Sequence, residues 1–178
     1  MTFEETTLPG VILVTPKVHG DERGFFLETW RADRYVELTG AGKGFCQDNH
    51  SRSRRGVLRG LHFQTRRPQG KLLRCVRGEI FDVAVDVRPG SDHFGQWVGV
   101  RLSEENKQQL FIPAGFAHGF QVVSETADVE YKCTDYYDPA GESGVRWNDP
   151  DLAIAWPVAE PLVSEKDQVL PLLSELPS

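Results

Sequence analysis

Ile80-Phe81-Asp82-Val83-Ala84-Val85-Asp86-Val87 is the stretch on which the fold turns. Phe81, Val83, Val85 and Val87 alternate with Asp82, Ala84 and Asp86. A period of two in β-branched residues is the mark of a strand, because successive side chains then point to opposite faces. Gly78 stands before the run and Pro89-Gly90 turns the chain after it. Outward in both directions the pattern repeats. Residues 11–14, 24–30, 71–76, 96–102, 108–112, 120–123 and 128–133 are short apolar runs, set off by Gly, Pro and Asp. Many short strands with frequent turns predict an all-β sandwich or barrel, of which the jelly roll is one form. Only residues 31–38 and 164–170 look helical, the second with Ser164 as N-cap. Residues 139–157 are turn-rich, with Trp147 and Trp156 as anchors.

The chain has 178 residues, enough for one domain with its own core, and no repeat or long linker divides it. It is therefore read as a single domain over residues 1–178. Hydrophobic residues make up 39% and charged residues 26%, the balance of a globular protein. The net charge of −6 gives no basic field for nucleic acid or an anionic membrane. No run approaches the roughly 20 apolar residues that span a bilayer. The first residues, Met1 to Glu5, are acidic and read as no secretory leader, so the expected location is the cytoplasm. Cys46, Cys75 and Cys133 are an odd number at wide spacing, and are expected to be buried free thiols.

Two segments carry the chemistry. Gly56-Val57-Leu58-Arg59-Gly60-Leu61-His62-Phe63-Gln64 is a strand with one arginine and one histidine, and Pro113-Ala114-Gly115-Phe116-Ala117-His118-Gly119 supplies a second histidine. A jelly-roll metal pocket commonly takes two histidines one residue apart, an acid a few residues on and a third histidine from a later strand. Here those places hold His62, Gln64, Gln69 and His118. A neutral amide is a weak donor for a transition metal, so the pattern points to proton chemistry and to no metal. An imidazole that moves protons needs a partner to hold one tautomer, and both Asp82 and Asp167 are candidates. A lone histidine in a strand is more often structural, but Arg59, Lys71 and the second histidine strengthen the case for His62. Arg52, Arg54, Arg55, Arg59, Arg66 and Arg67 form either a solvated loop or a clamp for a phosphate-bearing ligand. Asp48, His50, His19 and His93 read as turn or surface residues.

Long ordered motifs carry a resemblance. Gly20-Asp21-Glu22-Arg23-Gly24-Phe25-Phe26, Gln47-Asp48-Asn49-His50-Ser51, residues 57–64, residues 81–86 and Ile112-Pro113-Ala114-Gly115-Phe116-Ala117-His118-Gly119-Phe120 closely resemble the dTDP-4-dehydrorhamnose 3,5-epimerase family, from about Val11 to Lys166-Asp167. The resemblance implies a cupin-type jelly roll and a homodimer that uses no metal or organic cofactor. The implied substrate is dTDP-4-dehydro-6-deoxy-D-glucose and the product dTDP-4-dehydro-L-rhamnose, on the way to dTDP-L-rhamnose. It further implies His62 as general base, Tyr131 as acid, Asp167 as the carboxylate that orients the base, and Lys71 beside the developing enolate. Arg23, Glu28, Gln47, Asn49, Arg59, His118, Glu142 and Lys166 fall on its substrate-contacting positions.

Three other readings remain: an epimerase acting at C3 or C5 alone, a metal-dependent cupin enzyme, and a sugar-nucleotide binding module without catalysis. Product analysis, metal analysis and hydrogen exchange into the sugar separate them.

Overall fold

A computed structural model describes residues 1–39 and 44–177. The strands are β1 (Thr2–Glu5), β2 (Ile12–Thr15), β3 (Val18–Asp21), β4 (Gly24–Leu27), β5 (Gln47–Arg54), β6 (Val57–Gln64), β7 (Lys71–Arg77), β8 (Glu79–Asp86), β9 (Trp97–Ser103), β10 (Gln109–Ile112), β11 (Phe116–Val122), β12 (Thr126–Cys133), β13 (Glu142–Gly144) and β14 (Leu162–Val163). Among the described residues two short helices, α1 (Ala32–Thr39) and α2 (Glu165–Gln168), and a 3-10 turn at Leu173–Glu175 join the strands. Ser164 caps α2 as read from the sequence, its Oγ accepting from the Asp167 N–H. Among the described residues no helix is long and apolar enough to cross a membrane.

The strands form a jelly-roll sandwich. One sheet runs β1-β2-β10-β7-β12-β5 and the other β13-β6-β11-β8-β9, with β14 also on β6. Every pairing is antiparallel except β14 on β6. A separate ribbon, β3-β4, stands off both sheets. The outer edge of β6 is shared, β13 taking Gln64 to His62 and β14 taking Val57 and Leu58.

Between the sheets, Leu73, Ile80, Leu102, Leu110, Phe116, Phe120 and Val129 make the main core. The far face of the second sheet is also covered. There Leu61, Val83, Val85, Ala117, Val145 and Leu152 pack with Phe81, Trp97 and Trp156. Trp156 is tied down by its Nε1–H on the Trp147 carbonyl, 2.8 Å away, and stands edge-on to Phe81. Strand β8 is thus buried on both sides. Its valines face the C-terminal segments, while Ile80 and Ala84 face the sandwich interior, and Asp82 and Asp86 are fully buried as well.

Several readings change. The arginine run is not a loop: Arg52 and Arg54 lie in β5 and Arg59 in β6. Residues 47–54 pair with β12 along their whole length despite their polarity. His50 belongs to that strand and bonds Asp128 rather than forming a turn. His19 lies in β3 rather than in a turn, and only Glu22 and Arg23 separate β3 from β4. Cys75 and Cys133 are buried free thiols, but Cys46 is exposed.

Candidate active site

Strands β6 and β11 bring the two histidines together, with His62 directly opposite His118 in the register. Glycine makes the close approach possible. A Cβ on Gly60 would lie 2.6 Å from the Gly119 Cα, and one on Gly119 would lie 2.6 Å from the Arg59 carbonyl oxygen. Gly60 also has a φ of +122°, which side-chain-bearing residues avoid.

Each imidazole has its own carboxylate. His62 Nε2 lies 2.7 Å from Asp167 Oδ1, and Asp167 Oδ2 accepts from the Gly60 N–H at 3.1 Å. The Asp167 side chain is 5% exposed and that of His62 30%. Burial alone would raise the Asp167 pKa, yet the hydrogen bond and charge of His62, with the Gly60 N–H, hold it below the usual carboxylate value. With Nε2–H given to Asp167, neutral His62 keeps the Nδ1 lone pair to accept a proton.

His118 Nε2 lies 2.9 Å from Asp82 Oδ2. Asp82 stands diagonally across the β11–β8 pair, opposite Phe120, while Ala84 is opposite His118. Burial pushes the His118 pKa down, and the charges of Lys71 and His62 add to this against the pull of Asp82. Both carboxylates named as candidate partners are therefore in use, one per histidine.

The other sheet supplies the facing wall. Lys71 opens β7 and Tyr131 lies near the end of β12. Burial lowers the Lys71 pKa, opposed by Cys133, Asp82 and Glu142. Burial raises that of Tyr131, with Cys133 adding to it and Arg59 opposing.

His62, Lys71 and Tyr131 line two cavities at once. The larger, of 470 Å³, is also lined by Arg59, His118, Phe120, Leu162, Lys166 and Asp167. The smaller, of 220 Å³, adds Gln47, Asn49, Cys133, Tyr137 and Glu142. Arg59 is steadied by two hydrogen bonds to Ser53 Oγ, at 3.1 and 3.0 Å. Glu142 accepts from Lys166 Nζ at 2.5 Å and from the Tyr137 hydroxyl at 2.8 Å, which ties the tail to the loop after β12. The Gln47 Nε2 donates to Asn49 Oδ1, and the Asn49 Nδ2 to Cys133 Sγ.

Not every expected residue arrives. Arg23 sits on the ribbon, exposed and paired with Asp21; Glu28 pairs with Arg31 and Arg34. Neither lines either cavity. Of the six arginines only Arg59 does: Arg52 is committed to Asp128, Arg66 to Asp138 and Arg67 to Asp135. Sequence reading did not single out Ser53, Phe120, Leu162 or Tyr137. None carries a signal apart from the contacts themselves.

The amides at the places of metal ligands are occupied with the backbone. Gln64 Nε2 donates to the Arg67 and Tyr136 carbonyls, its Oε1 accepts from the Asp138 N–H, and Gln69 Nε2 donates to the Asp135 carbonyl. Among the described residues no group of three or more His, Cys, Asp or Glu could hold a metal ion.

Fold and pocket together define a cupin-type jelly roll whose cavity is furnished with acid–base groups on both walls. The family model of dTDP-4-dehydrorhamnose 3,5-epimerase matches residues 5–175, and the chain belongs to that family. It is 59% identical over 169 residues to the dTDP-4-dehydrorhamnose 3,5-epimerase of Pseudomonas aeruginosa, covering 94% of this chain and 93% of that one. It is also similar to the dTDP-6-deoxy-D-glucose-3,5-epimerase of Legionella pneumophila Philadelphia 1, solved in complex with dTDP-4-keto-L-rhamnose. That match has a TM-score of 0.94 and 54% identity, over 98% of this chain and 93% of the other. A 3'-monoepimerase from Streptomyces bikiniensis in complex with dTDP-quinovose matches with a TM-score of 0.90 and 37% identity, over 96% and 87% of the two chains.

Proposed function

We propose that this enzyme inverts C3 and C5 of dTDP-4-dehydro-6-deoxy-D-glucose to give dTDP-4-dehydro-L-rhamnose, with His62 as base, Tyr131 as acid and Lys71 beside the C4 oxygen. The observation that carries the assignment is the placement of His62 on one sheet and Tyr131 and Lys71 on the other, all lining the same cavities. Inversion requires a proton to leave one face of a carbon and return to the opposite face. Groups on facing walls meet that requirement.

The C4 ketone acidifies the hydrogens on C3 and C5. His62 Nδ1 takes one of them, the C–H electron pair becomes a C–C double bond, and the carbonyl pair moves onto the C4 oxygen. The Lys71 ammonium stabilises that enolate oxygen by charge and hydrogen bonding. Tyr131 gives its hydroxyl proton to the opposite face of the carbon and the carbonyl reforms. Solvent then reprotonates the phenolate and takes the proton from His62. The same steps at the second carbon complete the reaction. No electrons are gained or lost overall, so the chemistry calls for no redox cofactor. Each placed proton-transfer group is typically worth roughly 10²–10⁴-fold in rate.

Arg59 at the larger cavity suits the diphosphate, since a guanidinium binds phosphate oxygens in pairs. Arg23 and Glu28 lie away from the cavities of their own chain. If they touch substrate, they do so in a second copy. The ribbon that carries Arg23 exposes Phe25 (62%) and Phe26 (72%), an apolar surface suited to such packing. We propose a homodimer in the cytoplasm as the working unit, each chain one domain over residues 1–178; the exposed apolar ribbon supports the dimer.

NMR of the product formed from dTDP-4-dehydro-6-deoxy-D-glucose tests the function. Inversion at both C3 and C5 is expected, with activity unchanged by EDTA. Inversion at C3 alone would instead make the enzyme a monoepimerase.

A further inference from the structure

Among the described residues, only Ser51 Oγ and Asp82 Oδ1 are buried side-chain polar atoms without a hydrogen-bond partner. The second is the more costly. A carboxylate oxygen in the interior without a partner is strongly disfavoured unless a cation lies near it. Asp82 is wholly buried behind His118, which shares the larger cavity with Lys71.

The titratable and charged groups that act on Lys71 or share its cavities are Arg59 and His62 of β6, Asp82 of β8, His118 of β11, Tyr131 and Cys133 of β12, Tyr137 after it, Glu142 of β13, and Lys166 and Asp167 of α2. Both oxygens of Asp167 are already taken, by His62 and the Gly60 N–H. The two histidines, when charged, oppose an ammonium. The Tyr131 hydroxyl and the Cys133 thiol, the latter pushed up by burial to about 11, are neutral near pH 7. Glu142 is an anion, but it is already held by Lys166 and Tyr137. Asp82 is the one facing anion with an uncommitted oxygen.

We propose that Asp82 is a positioning residue for epimerisation: through Oδ2 it holds His118, and through the unpartnered Oδ1 it supplies the fixed negative charge that keeps Lys71 an ammonium. This rests on the reading that the Lys71 ammonium stabilises the enolate. His118, with Nε2–H committed to Asp82, keeps Nδ1 as an acceptor in the cavity it shares with Lys71. Asp82 does not touch substrate; its effect passes through Lys71.

The test compares wild type, Asp82→Asn, Lys71→Met and the double variant. Asparagine keeps the shape and an acceptor for His118, and removes the charge by putting an NH2 in place of the other oxygen. The expected result for Asp82→Asn is a fall in kcat of roughly tenfold or more near pH 8 with little change in KM, and an alkaline limb of the kcat profile moved down by about one pH unit or more. Competitive acetylation of Lys71 across pH reads the same shift without turnover. In the Lys71→Met background the Asp82 substitution should add little, because both act through one charge. A fall in kcat that is equal at all pH values, an unmoved acetylation profile, or full additivity with Lys71→Met would overturn the proposal. So would an Asp82→Asn chain that cannot fold, since the charge would then serve the fold. Near-wild-type turnover by Lys71→Met would instead reject the role of Lys71 itself.

Discussion

Asp167 reaches back across 105 residues of sequence to place its Oδ1 2.7 Å from His62 Nε2. The same carboxylate grips the Gly60 N–H two residues before His62, so it fixes both the ring and the strand that carries it. Asp167→Asn would leave the packing intact while weakening the hold on one tautomer and on the imidazolium formed in the reaction. The expected loss in kcat is roughly 10²–10⁴-fold with a much smaller change in KM. Steady-state kinetics decide it, and a loss under fivefold would show that His62 does not depend on this partner.

Lys71 sets the alkaline side of the pH profile. Burial lowers its pKa below that of free lysine, whereas Tyr131 is raised. The two shifts run in opposite directions, so the loss of the Lys71 proton moves to lower pH while that of the Tyr131 proton moves to higher pH. The contribution of Lys71 should be fully present below its pKa and fall as pH passes through it, so the alkaline limb has its midpoint under 10.5. A kcat profile flat beyond that value would contradict the assignment.

Tyr131→Phe separates proton removal from inversion. The variant keeps His62 and Lys71, so solvent deuterium should still enter the sugar in D₂O. Yield of inverted product should fall by roughly 10²-fold or more, because the opposite face has lost its acid. Full epimerisation at the wild-type rate would mean that another group returns the proton.

Gly119→Ala tests the close contact that seats the two histidines. Its Cβ would press on the Arg59 carbonyl oxygen at 2.6 Å and on Leu61 Cδ2 at 2.9 Å. Neither neighbour is the free end of a flexible surface side chain. A destabilisation of about 3 kcal/mol is expected, lowering Tm by roughly 6–12 °C. Calorimetry that finds an unchanged Tm would show that the strands can part there at no cost.

Much of this was legible in the residues. The alternation over residues 80–87 located β8, and Ser164 announced the turn that presents Asp167. The two sides of β8 could not be told apart, because both are covered: its valines pack beneath the C-terminal segments, while its aspartates point the other way and are buried too. Strand β5 escaped pattern reading because its eight polar residues owe their strand form to pairing with β12, a long-range effect with no period of its own. The arginine run looked like one device and is several, since Asp128, Asp135 and Asp138 claim three of its members. Asp82 and Asp167 stood as rival partners for one imidazole. Only the three-dimensional pairing of His62 with His118 shows that there are two such pairs.

The role of His62 is tested most directly by deuterium uptake. Wild-type enzyme and His62→Ala are each incubated with dTDP-4-dehydro-6-deoxy-D-glucose in D₂O, and incorporation at C3 and C5 is followed by NMR. The wild type should exchange and invert both carbons, and His62→Ala should lose exchange at both by roughly 10²-fold or more. Exchange by His62→Ala at the wild-type rate would contradict the assignment of His62 as the base.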